Sequence, residues 1–104
     1  MNDRIYFTIS GVCHRYGTGF FEPGQRVTLV KDPDNEYDTE AIKVEMPGLG
    51  QVGWVANSVN TRIGESWSAG RLYDKFGSTA YGKVLYVLSS GVLCELEDYS
   101  EWMK

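Results

Sequence analysis

Residues 30–55 read VKDPDNEYDTEAIKVEMPGLGQVGWV, and two strands behind a polar loop can be read directly from them. In Ala41 to Met46 the apolar Ile42, Val44 and Met46 alternate with Lys43 and Glu45. That is the period of a strand with one buried face. Pro47-Gly48-Leu49-Gly50 is a turn by composition and leads into a second strand, Gln51 to Val55. Ahead of both lies Asp32-Pro33-Asp34-Asn35-Glu36-Tyr37-Asp38, which gathers Pro, Asx residues and one aromatic. Joining two strands takes only about two to five residues, so this loop is longer and richer in functional groups than a connection requires. Loops held between strands are where binding groups are usually mounted.

The pattern extends in both directions. Ile5 to Ile9 with Val12 reads as a first strand, with Gly11 as a bulge or close-approach point. His14-Arg15-Tyr16-Gly17-Thr18-Gly19 reads as a loop, Phe20-Phe21 as a cap on the core, and Pro23-Gly24 as a turn. Arg26 to Val30 alternates again, Val27 and Leu29 against Arg26 and Thr28. Asn57 or Ser58 is the expected N-cap of one helical region running with gaps from Val59 to Tyr73. Its inward side chains would be Val59, Ile63, Trp67 and Leu72, and Gly64 and Gly70 keep it short. Ala80 to Leu88 and Val92 to Leu96 form a hairpin around Ser89-Ser90-Gly91, and Tyr99 and Trp102 in the polar tail add late packing contacts. The expectation is a mainly β domain of about six strands with one short helical insertion. Short strands and Gly-rich corners suit a small barrel. The residues alone leave open a sheet with a helix laid on it.

At 104 residues the chain makes one domain that buries roughly 65% of its unfolded surface. A hydrophobic fraction of 42% with 13% aromatics favours a folded chain over a disordered one. Nothing approaches the roughly 20 apolar residues of a membrane span, and the start lacks the basic and apolar regions of a signal peptide. Cytoplasmic residence is therefore expected, with Cys13 and Cys94 as free thiols. Cys13-His14 and a distant Cys94 do not make a zinc site, which needs four ligands. The acidic string Asp32, Asp34, Glu36, Asp38, Glu40 fails as a calcium loop. Counted from Asp32, an EF-hand needs Gly and Glu where Tyr37 and Lys43 stand. No metal and no cofactor are expected. The net charge of −4 argues against coating duplex nucleic acid through phosphate neutralisation, but leaves room for local capture of one nucleotide.

The loop and the strands behind it spell D-P-x-N-x-Y-D-x-x-A-I-x-V followed by G-x-x-G, with Gly50-Gln51-Val52-Gly53 as the last element. This phrase resembles the HIRAN domain, the small β module at the head of the helicase-like transcription factor and of related Snf2-type DNA repair ATPases. The family also includes free-standing bacterial proteins, and the similarity spans about Ser10 to Leu96. The resemblance implies an OB-like β-barrel. It also implies a pocket for the last nucleotide of a single DNA strand with a free 3′ end. In that pocket Asp38 would accept a hydrogen bond from the 3′-hydroxyl, Tyr37 would supply aromatic wall, and Asn35 would help hold the nucleoside. A carboxylate is a strong acceptor for a hydroxyl and repels a phosphate in the same place. The bland alternative is that Asn35 and Asp38 close Asx-turns while Tyr37 plugs the barrel end.

Members of the family read G-x-R-Y-Y-x-G or R-H-Y-Y-G where this chain has Gly11-Val12-Cys13-His14-Arg15-Tyr16-Gly17. His14 and Arg15 take the two aromatic positions, where each can still stack on a base, and Tyr16 follows them. The family's arginine is Cys13 here, and Asn57 stands where a basic side chain is common. Two of the family's phosphate contacts are thereby absent; Arg15 is a candidate to take over the first, although alternation along a strand also allows it to face the other way. Trp54 is a stacking platform in one reading and hydrogen-bonded barrel core in the other.

No nucleophile elbow, phosphate loop or H-E-x-x-H is present, and adjacent Cys13 and His14 on a strand would point to opposite faces. The chain is read as a binding module, not an enzyme. The leading expectation is recognition of single-stranded DNA 3′-hydroxyl ends, in a DNA-repair setting beside a helicase or nuclease partner. The alternative is a protein-interaction or scaffold domain that touches no nucleic acid, favoured by the net acidity.

Overall fold

The computed structural model describes residues 4–10, 21–58, 60–88 and 91–98. Six strands are formed: β1 (Tyr6–Ser10), β2 (Arg26–Asp32), β3 (Ala41–Met46), β4 (Gly50–Val55), β5 (Thr79–Leu88) and β6 (Gly91–Asp98). All neighbours are antiparallel, and the order β1-β4-β3-β2-β5-β6 closes on itself as a barrel. The alternative of an open sheet is thereby excluded.

Alternation does most of the work. Val27 and Leu29 of β2, Ile42 and Val44 of β3, and Val84 of β5 point inward and are fully or almost fully buried. Phe7 and Ile9 of β1 and Val92 and Cys94 of β6 meet them in the middle. Fully burying side chains of this size stabilises by about 1.5–3 kcal/mol each. Register slips between Val44 and Glu45, and twice along β5, supply the local twist that barrel closure requires. Gly82 marks the tightest point. A Cβ there would lie 2.6 Å from Cζ of Phe7, so only glycine lets β5 cross above that ring.

The helix departs from expectation. α1 is only Ala69–Tyr73, five residues, with Ser68 as N-cap. Residues 60–66 are turns instead. Thr61 and Arg62 both donate to the Ser58 carbonyl, and Gly64 sits at φ +54, in the left-handed region that ends a right-handed helix. Tertiary bonds then claim the backbone. The Trp67 amide donates to the Tyr6 carbonyl at 2.7 Å and bridges β1 beside Phe7. The Ile63 amide donates to the buried Thr8 hydroxyl, which also bonds the Ser66 hydroxyl at 2.8 Å. Of the expected inward side chains, Leu72 is fully buried and Trp67 packs partly against the core. Val59 lies outside the described residues.

Candidate nucleic-acid interface

The β2–β3 loop is shaped by its own side chains. Asn35 Oδ1 accepts from the amides of Tyr37 (2.9 Å) and Asp38 (3.0 Å), and Asp38 Oδ1 accepts from the Glu40 amide at 2.9 Å. The Ala41 amide donates to the Asp38 carbonyl and feeds the chain into β3. These are Asx-turns, in which a short polar side chain stands in for a backbone acceptor. The bland reading of Asn35 and Asp38 therefore holds as local structure. The bland reading of Tyr37 does not. Its side chain is 90% exposed and plugs nothing.

A second layer of bonds ties this loop to α1. Asn57, just past β4, donates from Nδ2 to Asp38 Oδ2 at 3.1 Å and accepts at Oδ1 from the Gly70 amide at 2.8 Å. The first four amides of a helix lack intrahelical partners. Here Ala69 donates to the Ala56 carbonyl, Gly70 to Asn57 and Arg71 to the Ser68 hydroxyl, and Leu72 makes the first intrahelical bond, to the Ser68 carbonyl. Asn57 thus caps the helix from outside it while orienting the Asp38 carboxylate. In the sequence it reads as a cap for a helix starting beside it and as an absent cation. Nothing local marks its true partners, which lie 19 and 13 residues away.

Between loop, sheet and helix lies a cavity of about 410 Å³. Asn35, Tyr37 and Asp38 line one side and Trp54 another, over a floor of Ala41, Ile42, Val55 and Ala69. Volumes of this order suit a small ligand, and an apolar floor with a few convergent polar groups is the usual make-up of such a site. Trp54 is half-buried on β4, opposite Lys43 of β3 and Ser10 of β1. Four of the residues singled out in the sequence are therefore brought together, and the apolar floor is what sequence reasoning missed. His14, Arg15 and Tyr16, with Cys13, lie outside the described residues.

Each carboxylate oxygen of Asp38 accepts one bond, although a carboxylate offers about four acceptor sites. The unused sites leave capacity for an incoming hydroxyl. Among the described residues, no group of three metal-ligating side chains converges, and no helix is long and apolar enough to cross a membrane.

No curated protein and no solved structure matches the chain. The sequence pattern of the HIRAN domain does, over residues 2–90, which include the whole β2–β3 loop, Trp54 and α1. Membership points to a nucleic-acid-binding module rather than a catalytic domain: the chain belongs to the HIRAN domain family.

Proposed function

We propose that this protein reads the end of single-stranded DNA, taking the last nucleoside of a strand with a free 3′-hydroxyl into the cavity beside the β2–β3 loop. The observation that carries the reading is the convergence of Asn35, Tyr37, Asp38 and Trp54 on one cavity in a HIRAN domain. Asp38, held by the Glu40 amide and Asn57, accepts the hydroxyl hydrogen bond and repels a 3′-phosphate. Tyr37 is exposed and swings onto the base, while Trp54 offers a second aromatic face. His14, Arg15 and Tyr16 add stacking and phosphate contacts in this reading.

Stacking supplies roughly 1–3 kcal/mol per base. A hydroxyl bonded to a carboxylate adds about 1.5–3 kcal/mol. Once ordering costs are subtracted, micromolar or weaker binding is expected. Few phosphate contacts imply a shallow salt dependence. The test is fluorescence anisotropy with labelled oligonucleotides ending in a 3′-hydroxyl, a 3′-phosphate, or a blocked 3′ end with only the 5′ end free. Preferential binding of the hydroxyl end, lost in Asp38→Ala, is the expected result. Equal binding of all three, or none at tens of micromolar (roughly −6 kcal/mol), sinks the reading and leaves a protein-docking role in its place.

A further inference from the structure

A nucleoside whose 3′-hydroxyl sits at Asp38 must carry its 5′-phosphate away from that carboxylate, and β3 runs in just that direction. The Asp38 carbonyl accepts from the Ala41 amide, Ala41 forms part of the cavity floor, and Lys43 follows two residues on. Residues two apart in a strand share a face and lie roughly 6.6 Å from one another. Lys43 is also the cross-strand partner of Trp54, which lines the cavity. Their side chains therefore leave the same face of the sheet, with Cβ atoms about 4.5–5.5 Å apart. Lys43 thus stands at the rim of the cavity, beyond Ala41 as seen from Asp38. Acceptor, apolar floor and cation follow one another in the order of a nucleotide's 3′-hydroxyl, sugar and 5′-phosphate.

The Lys43 ammonium is uncommitted. On β2 the residue opposite it is Val30, so neither cross-strand neighbour is a carboxylate. The other cations among the described residues all have partners. Arg4 pairs with Glu95, and Arg26 and Lys83 share Glu97. Lys31 donates to the Phe76 carbonyl and Arg62 to the Ser66 carbonyl, while Arg71 and Lys75 lie over the Trp67 ring. Among the described residues, Lys43 alone makes no ion pair, side-chain hydrogen bond or ring contact. Away from the loop, the next side chain on its face is Glu45, which turns a second phosphate away. Lys43 is an isolated charge, suited to one phosphate and not to a track of them.

We infer that Lys43 binds the phosphate on the 5′ side of the captured nucleoside, the linkage between the last two nucleotides. The inference rests on the end-reading proposed above. Anisotropy over several salt concentrations tests it in the full chain, with 3′-hydroxyl octamers carrying an uncharged methylphosphonate at the last linkage, at the next one inward, or nowhere. A 3′-phosphate octamer is the fourth probe, and wild type is compared with Lys43→Gln, Lys43→Arg, Lys83→Gln and Asp38→Ala. Lys43→Gln should weaken binding of the unmodified strand about two- to fivefold, the upper range for an exposed ion pair. It should lower the salt slope by about 0.7, the value for one single-strand phosphate. The last-linkage methylphosphonate should reproduce both changes in wild type and add nothing in Lys43→Gln, which a merely structural loss would not do. Lys43→Arg keeps the slope, and so does Lys83→Gln. An unchanged slope in Lys43→Gln, or a difference from wild type erased only by the inner methylphosphonate, overturns the Lys43 contact and leaves end-reading standing. Asp38→Ala that keeps the preference for hydroxyl over phosphate ends sinks end-reading alone, because the Lys43 contact is read from the last linkage. A wild type that binds no octamer overturns both.

Discussion

Replacing Asn57 by Ala removes one side chain that serves two elements. The Gly70 amide loses its acceptor at 2.8 Å, and Asp38 Oδ2 loses its donor at 3.1 Å. The first loss resembles removal of a helix cap, which costs about 0.5–2 kcal/mol. The second is a hydrogen bond to a charged group, but Asn57 is exposed and water replaces much of it. A total near 1 kcal/mol, and at most about 2, is expected, with each kcal/mol worth roughly 4–8 °C of Tm in a domain this small. Urea unfolding followed by tryptophan fluorescence reads it as a shift in midpoint at constant slope. A cycle with Asp38→Ala then separates the two halves. The Asp38–Asn57 bond should appear as a coupling of about 0.5–1 kcal/mol, whereas the Gly70 contribution persists in the Asp38→Ala background. Asn57→Ala within about 0.3 kcal/mol of wild type, or a strictly additive cycle, would refute the idea that Asn57 ties loop to helix.

Three further outcomes follow from the packing. Gly82→Ala forces a Cβ to within 2.6 Å of the fully buried Phe7 ring, so a loss near the upper end of about 1–3 kcal/mol is expected by denaturant titration, partly recovered by Phe7→Leu. Thr8→Val strands the Ser66 hydroxyl and the Ile63 amide and should destabilise by about 1–3 kcal/mol, whereas a neutral result would mean water reaches them. Burial pushes the Cys94 thiol well above its ordinary value of 9.0. Above that pH the unfolded chain gives up a proton that the folded chain retains. Stability therefore falls as pH rises, by up to about 1.4 kcal/mol per unit relative to Cys94→Ala, and thiol reagents should label native Cys94 only as fast as the barrel opens.

Legibility in the sequence followed the range of the forces involved. β3 could be bounded to the residue because Ile42, Val44 and Met46 alternate with polar neighbours, and β2 only runs on to Asp32 beyond its alternating part. The loop's turns were equally legible, since Asn35 and Asp38 bond amides within three residues. The cap residues and apolar spacing that suggest a helix over 59–73 are local signals, whereas the bonds from Trp67 to Tyr6 and from Ile63 to Thr8 that shorten it are not. The partners of Asn57, 19 and 13 residues away, are invisible for the same reason. The cavity floor leaves no mark in the sequence because Ala41, Ile42, Val55 and Ala69 are small or aliphatic residues that look like any core. His14, Arg15 and Tyr16, expected to contribute, lie outside the described residues.

Closure of the barrel has a consequence for how the chain comes into being. β1 supplies both seams of the cylinder, pairing Ile9 with Val55 of β4 and Phe7 with Cys94 of β6. It leaves the ribosome before the other five strands, yet its last partner lies 87 residues downstream, counting from Phe7 to Cys94. At about 5–20 residues per second, β1 waits several seconds for that partner. Until it docks, the remaining five strands form an open sheet whose β4 and β6 edges offer bare hydrogen-bonding groups to other chains. Aggregation during expression should therefore respond most to changes within Tyr6–Ser10, including polar substitutions that leave the finished barrel nearly as stable.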